Sequence, residues 1–217
     1  MTTISDNESA TIERRIADVE ARTGVQIVTA IVPRADSYPE LPWRGFALGC
    51  ALAALIAVAI HVGRPDWLST KALLMQALAI LGGGFIGGAL AIWFPPFAKL
   101  LLPAERARVE VRQCAETLFL TRELFATPRR DALLILVGEF ERRIVIVPDV
   151  YCRGRVSTAE WQGVVAQMTP KLADGRVADA FLAGLTALER LLIDRGFTPA
   201  PPVANVIPDA MLRDEAR

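Results

Sequence analysis

The sequence predicts a three-layer α/β/α sandwich with a small central sheet, interrupted by a two-helix transmembrane hairpin. Three observations predict it. Between Arg44 and Lys99 the only charged residues are Arg64, Asp66 and Lys71, so an apolar middle separates charged flanks. The flanks hold three short, largely apolar runs, each ending at Gly or Pro. Helix-period segments alternate with those runs, the pattern of a sheet covered on its faces. The expected organisation is one discontinuous soluble domain over 1–42 and 98–197, a hairpin over 43–97 and a disordered tail over 198–217.

Ser5 and Glu8 have capping-box spacing, and Ile12, Ile16 and Val19 follow at helical intervals. A helix is predicted from about Asn7 to Arg22, stopped by Gly24. Val25 to Val32 is rich in β-branched residues and stops at Pro33, which reads as a buried strand. Although far from the other strands in sequence, it needs burial and is expected in the same sheet.

Pro33 to Pro42 is a linker. Phe46 to Val62 and Ala72 to Phe94 are uncharged. A bilayer crossing takes roughly 20 apolar residues, with a lower limit of about 17, so both segments qualify. Trp43, Trp67 and Trp93 sit at segment ends, where indoles favour the headgroup region. Gly63 to Asp66 has room only for a turn. Gly45, Gly49, Ala53 and Ala57 recur every four positions, as do Ala79, Gly83, Gly87 and Ala91. In lipid, close backbone approach along such seams supplies attraction between helices. The matching seams predict packing of the hairpin against itself. A second use is a homodimer through a seam left free, such as Gly84 and Gly88.

An amphipathic helix is expected over about Ala104 to Leu120, then a loop ending at Pro128-Arg129-Arg130. Asp131 to Gly138 and Arg143 to Pro148 read as antiparallel strands joined by Glu139 to Arg142. Ser157 with Glu160 caps a helix towards Leu172, broken at Asp174-Gly175. A last helix runs over about Val177 to Asp194 and stops at Gly196. The tail from Thr198 is rich in proline and predicts disorder.

Composition excludes several functions. Lys plus Arg and Asp plus Glu each number 24, giving no net charge and no basic run for nucleic acid. Cys50, Cys114 and Cys152 form no CxxC pair, so no disulfide or zinc framework is expected. Met1 to Glu20 is polar, which predicts no cleavable signal peptide. No P-loop, HExxH or GxSxG occurs, and no cysteine precedes an arginine by six positions. His61, the only histidine, ends the first apolar segment and reads as an interfacial or hairpin-packing residue, with a proton relay as the alternative.

One constellation remains. With Gly138 opposite Arg142, the hairpin pairing sets Asp131 opposite Asp149 at one sheet end. Two carboxylates there could hold a hard cation such as Ca²⁺ or Mg²⁺. They could equally be solvated strand ends. Arg142 and Arg143 are phosphate-clamp candidates or ordinary surface partners.

These residues resemble a known family. EARTGVQIVTAIV, from Glu20 to Val32 behind the helix opened by Ser5, resembles the opening helix and strand of TPM domains. These are named for thylakoid-lumen, photosystem-associated and receptor-modulator proteins. DALLILV from Asp131 and ERRIVIVPD from Glu141 resemble the family's central hairpin. Trp161 to Met168 and GRVADAF from Gly175 resemble its closing helices. The resemblance implies an α/β/α sandwich, often membrane-attached, and a bacterial subgroup is similar in carrying a membrane hairpin inside the domain. It also implies the acid-phosphatase label assigned to some plant relatives, and divalent-metal binding at acidic residues near strand ends. Where the family has Gly-x-Gly-Leu-Glu, this chain has Asp149 to Gly154.

Two crossings return the chain to its starting side. Arg34, Arg44, Lys99, Arg106, Arg108 and Arg112 flank the segments on the domain side, against Arg64 and Lys71 in the turn. The positive-inside bias then predicts a cytoplasmic domain. The expected role is an accessory module binding a membrane protein or complex, with a divalent-metal-dependent acid-phosphatase-like hydrolase as the alternative.

Overall fold

The structure is a computed structural model and describes residues 5–63, 69–199 and 212–213 of the chain. It divides into two compact units, Met1–Asp36 with Ala107–Arg217, and Ser37–Arg106.

The first unit is built on a sheet with strand order β3-β2-β1-β4. Helix α1 (Asp6–Thr23) opens it, with Ser5 and Glu8 forming a reciprocal capping box and Gly24 closing it in the left-handed conformation. Strand β1 (Gln26–Val32) pairs in parallel with β2 (Ala132–Gly138), and β2 pairs antiparallel with β3 (Arg143–Pro148). The distant first strand thus joins the sheet, because its apolar run is buried on both faces. Two backbone positions, Leu212–Arg213, add β4 in parallel along the free edge of β1. The rest of the tail, 200–211 and 214–217, lies outside the described residues, and with it most of the expected disorder.

Side chains alternate between two cores. Ile27, Ile31, Leu133, Ile135 and Val137 face α1 together with α7 (Thr158–Ala173) and α8 (Val177–Asp194). Val28, Ala30, Val32, Leu134 and Leu136 face α5 (Ala104–Thr121) and a 3₁₀ turn at Leu124–Ala126. That period of two makes a three-layer α/β/α sandwich. A short helix, α6 (Val150–Arg153), follows β3 directly, with Asp149 as its N-cap, an element absent from the expected order.

The second unit holds α2 (Glu40–Gly63), α3 (Thr70–Trp93) and α4 (Pro95–Leu101). Helix α2 starts inside the expected linker, because Pro42 sits in its first turn, where no intrahelical N–H is required. Pro95 and Pro96 likewise open α4 instead of forming an irregular link. Helices α2 and α3 are each long and apolar enough to cross a membrane. Only 6% and 11% of their most apolar stretches are buried, whereas a core helix of a soluble protein would be mostly buried. The turn residues from Arg64 to Asp66, and Trp67, lie outside the described residues.

The small-residue seams lie between the two helices. A Cβ on Gly45 would collide with the Gly87 carbonyl, and one on Gly49 with the Gly83 carbonyl. A Cβ on Gly83 would come within 2.8 Å of the Ala53 methyl and one on Gly45 within 3.0 Å of the Ala91 methyl. Gly84 and Gly88 are not left free. They face Phe46, Cys50 and the Pro42 carbonyl of the same hairpin, so the seam considered for a homodimer is already occupied by α2.

Candidate functional site

The register of β2 and β3 decides what the strand-end carboxylates can do. Gly138 pairs with Arg143, not with Arg142. Arg142 has φ of 51° and belongs to the turn, which leaves a four-residue connection and shifts the ladder by one position. Asp131 and Asp149 are therefore not cross-strand partners. The Asp149 N–H instead donates to the Ala132 carbonyl at 2.9 Å.

Both aspartates are buried, at 4% and 3% exposure, and each meets an arginine. Arg130 donates to Asp149 through Nε at 2.9 Å and Nη2 at 3.1 Å, a two-bond fork. This bond raises the pKa of the guanidinium above its ordinary value, against the opposing effect of burial. Asp149 also caps α6, its Oδ1 accepting from the Val150 N–H at 2.7 Å. Asp131 lies 3.5 Å from Arg129 Nε, and its own N–H donates to the buried Thr127 hydroxyl at 3.2 Å.

Aromatic rings extend the cluster. Arg129 donates to the Tyr151 hydroxyl at 3.1 Å, and Arg155 lies 4.2 Å above the Tyr151 ring. Tyr151 meets Phe197 edge-on at 5.5 Å, with Arg155 also 5.4 Å from the Phe197 ring. Cys152 is enclosed beneath them. Burial pushes its thiol up to about 12, Asp131 and Asp149 add to the rise, and Arg155 and Arg129 oppose it. A thiol so held is protonated and inert as a nucleophile.

Both carboxylates are engaged by arginines, Asp131 by Arg129 and Asp149 by Arg130. A hard cation takes six or more oxygen ligands, waters included, and would compete here with a guanidinium at each carboxylate. Among the described residues no group of three or more His, Cys, Asp or Glu could hold a metal ion. Arg142 and Arg143 lie at the other end of β3, roughly 20 Å away by strand rise. The structure thus separates the clamp candidates from the aspartates. Around Arg142 it places Glu141, whose Oε1 accepts from the Ala35 N–H at 2.9 Å, and Arg34, 4.1 Å above the Phe140 ring.

Arg129, Arg130, Tyr151, Arg155 and Phe197 escaped the sequence reading. The adjacent Arg-Arg-Asp at 129–131 was the available signal, since a buried carboxylate needs a cation and two stood beside it. Phe197, beyond the last helix, carried no local signal.

Comparison with known proteins agrees with this architecture. The TPM domain family matches residues 102–191. A similar solved structure is the NMR structure of the BA42 protein from the psychrophilic bacterium Bizionia argentinensis. It is 12% identical with a TM-score of 0.59, covering 99% of this chain and 100% of that one. At that identity the likeness is one of fold. No curated protein matches the chain. The matched stretch holds α5, β2, β3, α6 and α7 and most of α8, and over that stretch the chain is similar to the TPM domain.

Proposed function

We propose that this protein is a membrane-anchored accessory module, whose sheet unit binds or stabilises a membrane protein or complex on the cytoplasmic side. The surface of the hairpin carries the reading. Leu52, Leu55, Leu74, Phe85 and Ile86 are each more than half exposed along helices of 24 residues. An apolar surface of that extent is unlike that of a soluble monomer and suits lipid as solvent. The excess of Arg and Lys on the domain side of the segments supports the cytoplasmic assignment. In the sheet unit, arginine-paired aspartates and an inert thiol suit recognition better than hydrolysis.

Carbonate extraction with protease protection tests the first half of the proposal. The protein should stay in the membrane fraction, with the sheet unit digested only from the cytoplasmic face. Extraction into the soluble fraction would overturn it. Photocrosslinkers at Arg153 and Arg155 test the second half, with a discrete adduct to one membrane protein expected.

The alternative is a divalent-metal-dependent acid-phosphatase-like hydrolase using Asp131 and Asp149. Cation binding there would require Arg129 and Arg130 to release both carboxylates. Calorimetric titration of Ca²⁺ and Mg²⁺ into the detergent-solubilised chain decides it. Saturable heat abolished by both Asp131→Ala and Asp149→Ala would favour the hydrolase, and absence of heat would remove it.

A further inference from the structure

The two hairpin helices touch closely at one end and part at the other. Beyond the Gly49–Gly83 approach a crevice of about 690 Å³ opens between α2 and α3. That volume lies in the range of small-molecule sites. Ala53, Ala57 and Ala79 keep it open, and Met75 gives one wall an adaptable surface.

Its polar groups are few and arranged in depth. Ser69 caps the N-terminus of α3, its hydroxyl accepting from the Ala72 N–H at 3.2 Å. Lys71 and His61 line the same crevice, and among the described residues no carboxylate does. Gln76 is five residues beyond Lys71, about 7.5 Å deeper along the helix. None of His61, Lys71 and Gln76 has a hydrogen-bond or ion-pair partner among the described residues. A glutamine amide in hydrocarbon without a partner is costly, so its place on this wall calls for a ligand with polar atoms at that depth.

The geometry points to a site for one anionic phospholipid, its phosphate at Lys71, its ester carbonyls at the Gln76 amide and an acyl chain along the alanine-lined cleft. Charge complementarity selects the headgroup. The crevice mouth combines a lysine with the positive end of a 24-residue helix, with no acid among its described lining residues. The distance between Lys71 and Gln76 resembles that between a phospholipid's phosphate and its glycerol esters. The site rests on the reading of the hairpin as membrane-embedded.

Native mass spectrometry of the full-length chain in detergent micelles, titrated with phosphatidylglycerol or phosphatidylcholine of the same acyl chains, tests it. One phosphatidylglycerol adduct should form in preference to phosphatidylcholine. Lys71→Ala should weaken phosphatidylglycerol by roughly tenfold, the worth of a lost charge-assisted bond, and phosphatidylcholine by less, because its choline cation already offsets the phosphate. Gln76→Leu should weaken both lipids, because both carry ester carbonyls. Equal adducts of the two lipids, an unchanged Lys71→Ala, or displacement by inorganic phosphate would overturn the site. A protein dimer lost in Gln76→Leu would give the crevice to a second copy and overturn it too. Carbonate extraction of the same chain separates the two readings. Release into the soluble fraction defeats both, whereas membrane retention without lipid preference defeats the lipid site alone.

Discussion

Arg130 and Asp149 close the open end of the β2–β3 ladder with a two-bond fork, one bond at 2.9 Å and one at 3.1 Å. The same carboxylate caps α6, so one side chain fixes both the strand end and the helix that follows. Its neighbour Asp131 is held separately, by Arg129 and Thr127.

Asp149→Ala should destabilise the protein by about 1–2 kcal/mol through loss of the cap. Asp149→Asn keeps an accepting oxygen for the Val150 N–H and should cost less. Thermal melts of the detergent-solubilised chain give the comparison. Equal losses in the two variants would mean that the Arg130 charge pair outweighs the cap.

Glu160 predicts acid sensitivity. Bonds from the Ser157 hydroxyl and backbone, then from Arg195, hold its carboxyl down at about 2 from an ordinary 4.5. Because the folded-state value is the lower one, its contribution is complete above about 4.5 and fades as pH falls towards 2. Glu189 acts in the same sense. Burial pushes its carboxyl up, but Arg15 and Arg22 together bring it below the ordinary value. Melting midpoints should fall through this window, and Glu160→Gln should flatten the fall. An unchanged slope in the variant would refute the assignment.

Gly83→Leu should destabilise the hairpin by about 1–3 kcal/mol through overpacking. The added side chain would meet the Ala53 methyl at 2.8 Å and the Gly49 carbonyl at 2.9 Å. Gly82→Leu is the control, because nothing lies within 4 Å of its Cβ position. Melts in one detergent should separate the two variants by at least the size of the first effect.

Arg142→Gly should stabilise the β2–β3 connection by about 1 kcal/mol, since Arg142 adopts the left-handed conformation at a steric cost glycine lacks. A loss of stability on urea unfolding would show that the guanidinium makes a contact worth more than the strain.

Cys152 should resist alkylation in the native protein at pH 8 and react fully only after unfolding, as a buried thiol pushed up to about 12 requires. Mass spectrometry after iodoacetamide treatment reads this site by site. Rapid native labelling at Cys152 would contradict its enclosure.

By itself the sequence determined what depends on nearby residues. Ser5 with Glu8 and Ser157 with Glu160 marked helix starts, because a capping box closes over three positions. The β-branched run at 25–32 marked β1 as a buried strand, and the uncharged middle marked two helices of membrane-crossing length. Only the tertiary structure decided the pairing between distant groups. A left-handed Arg142 shifted the ladder by one residue, so that Asp131 and Asp149 are not direct cross-strand partners, which pattern could not resolve because either register buries the same strand. Glu189 found Arg15 and Arg22 from the opposite end of the chain, and Phe197 reached Tyr151 beyond the last helix. Caps and apolar periods are set within a turn or two of the backbone, whereas a buried carboxylate takes its cation from whatever packing brings beside it.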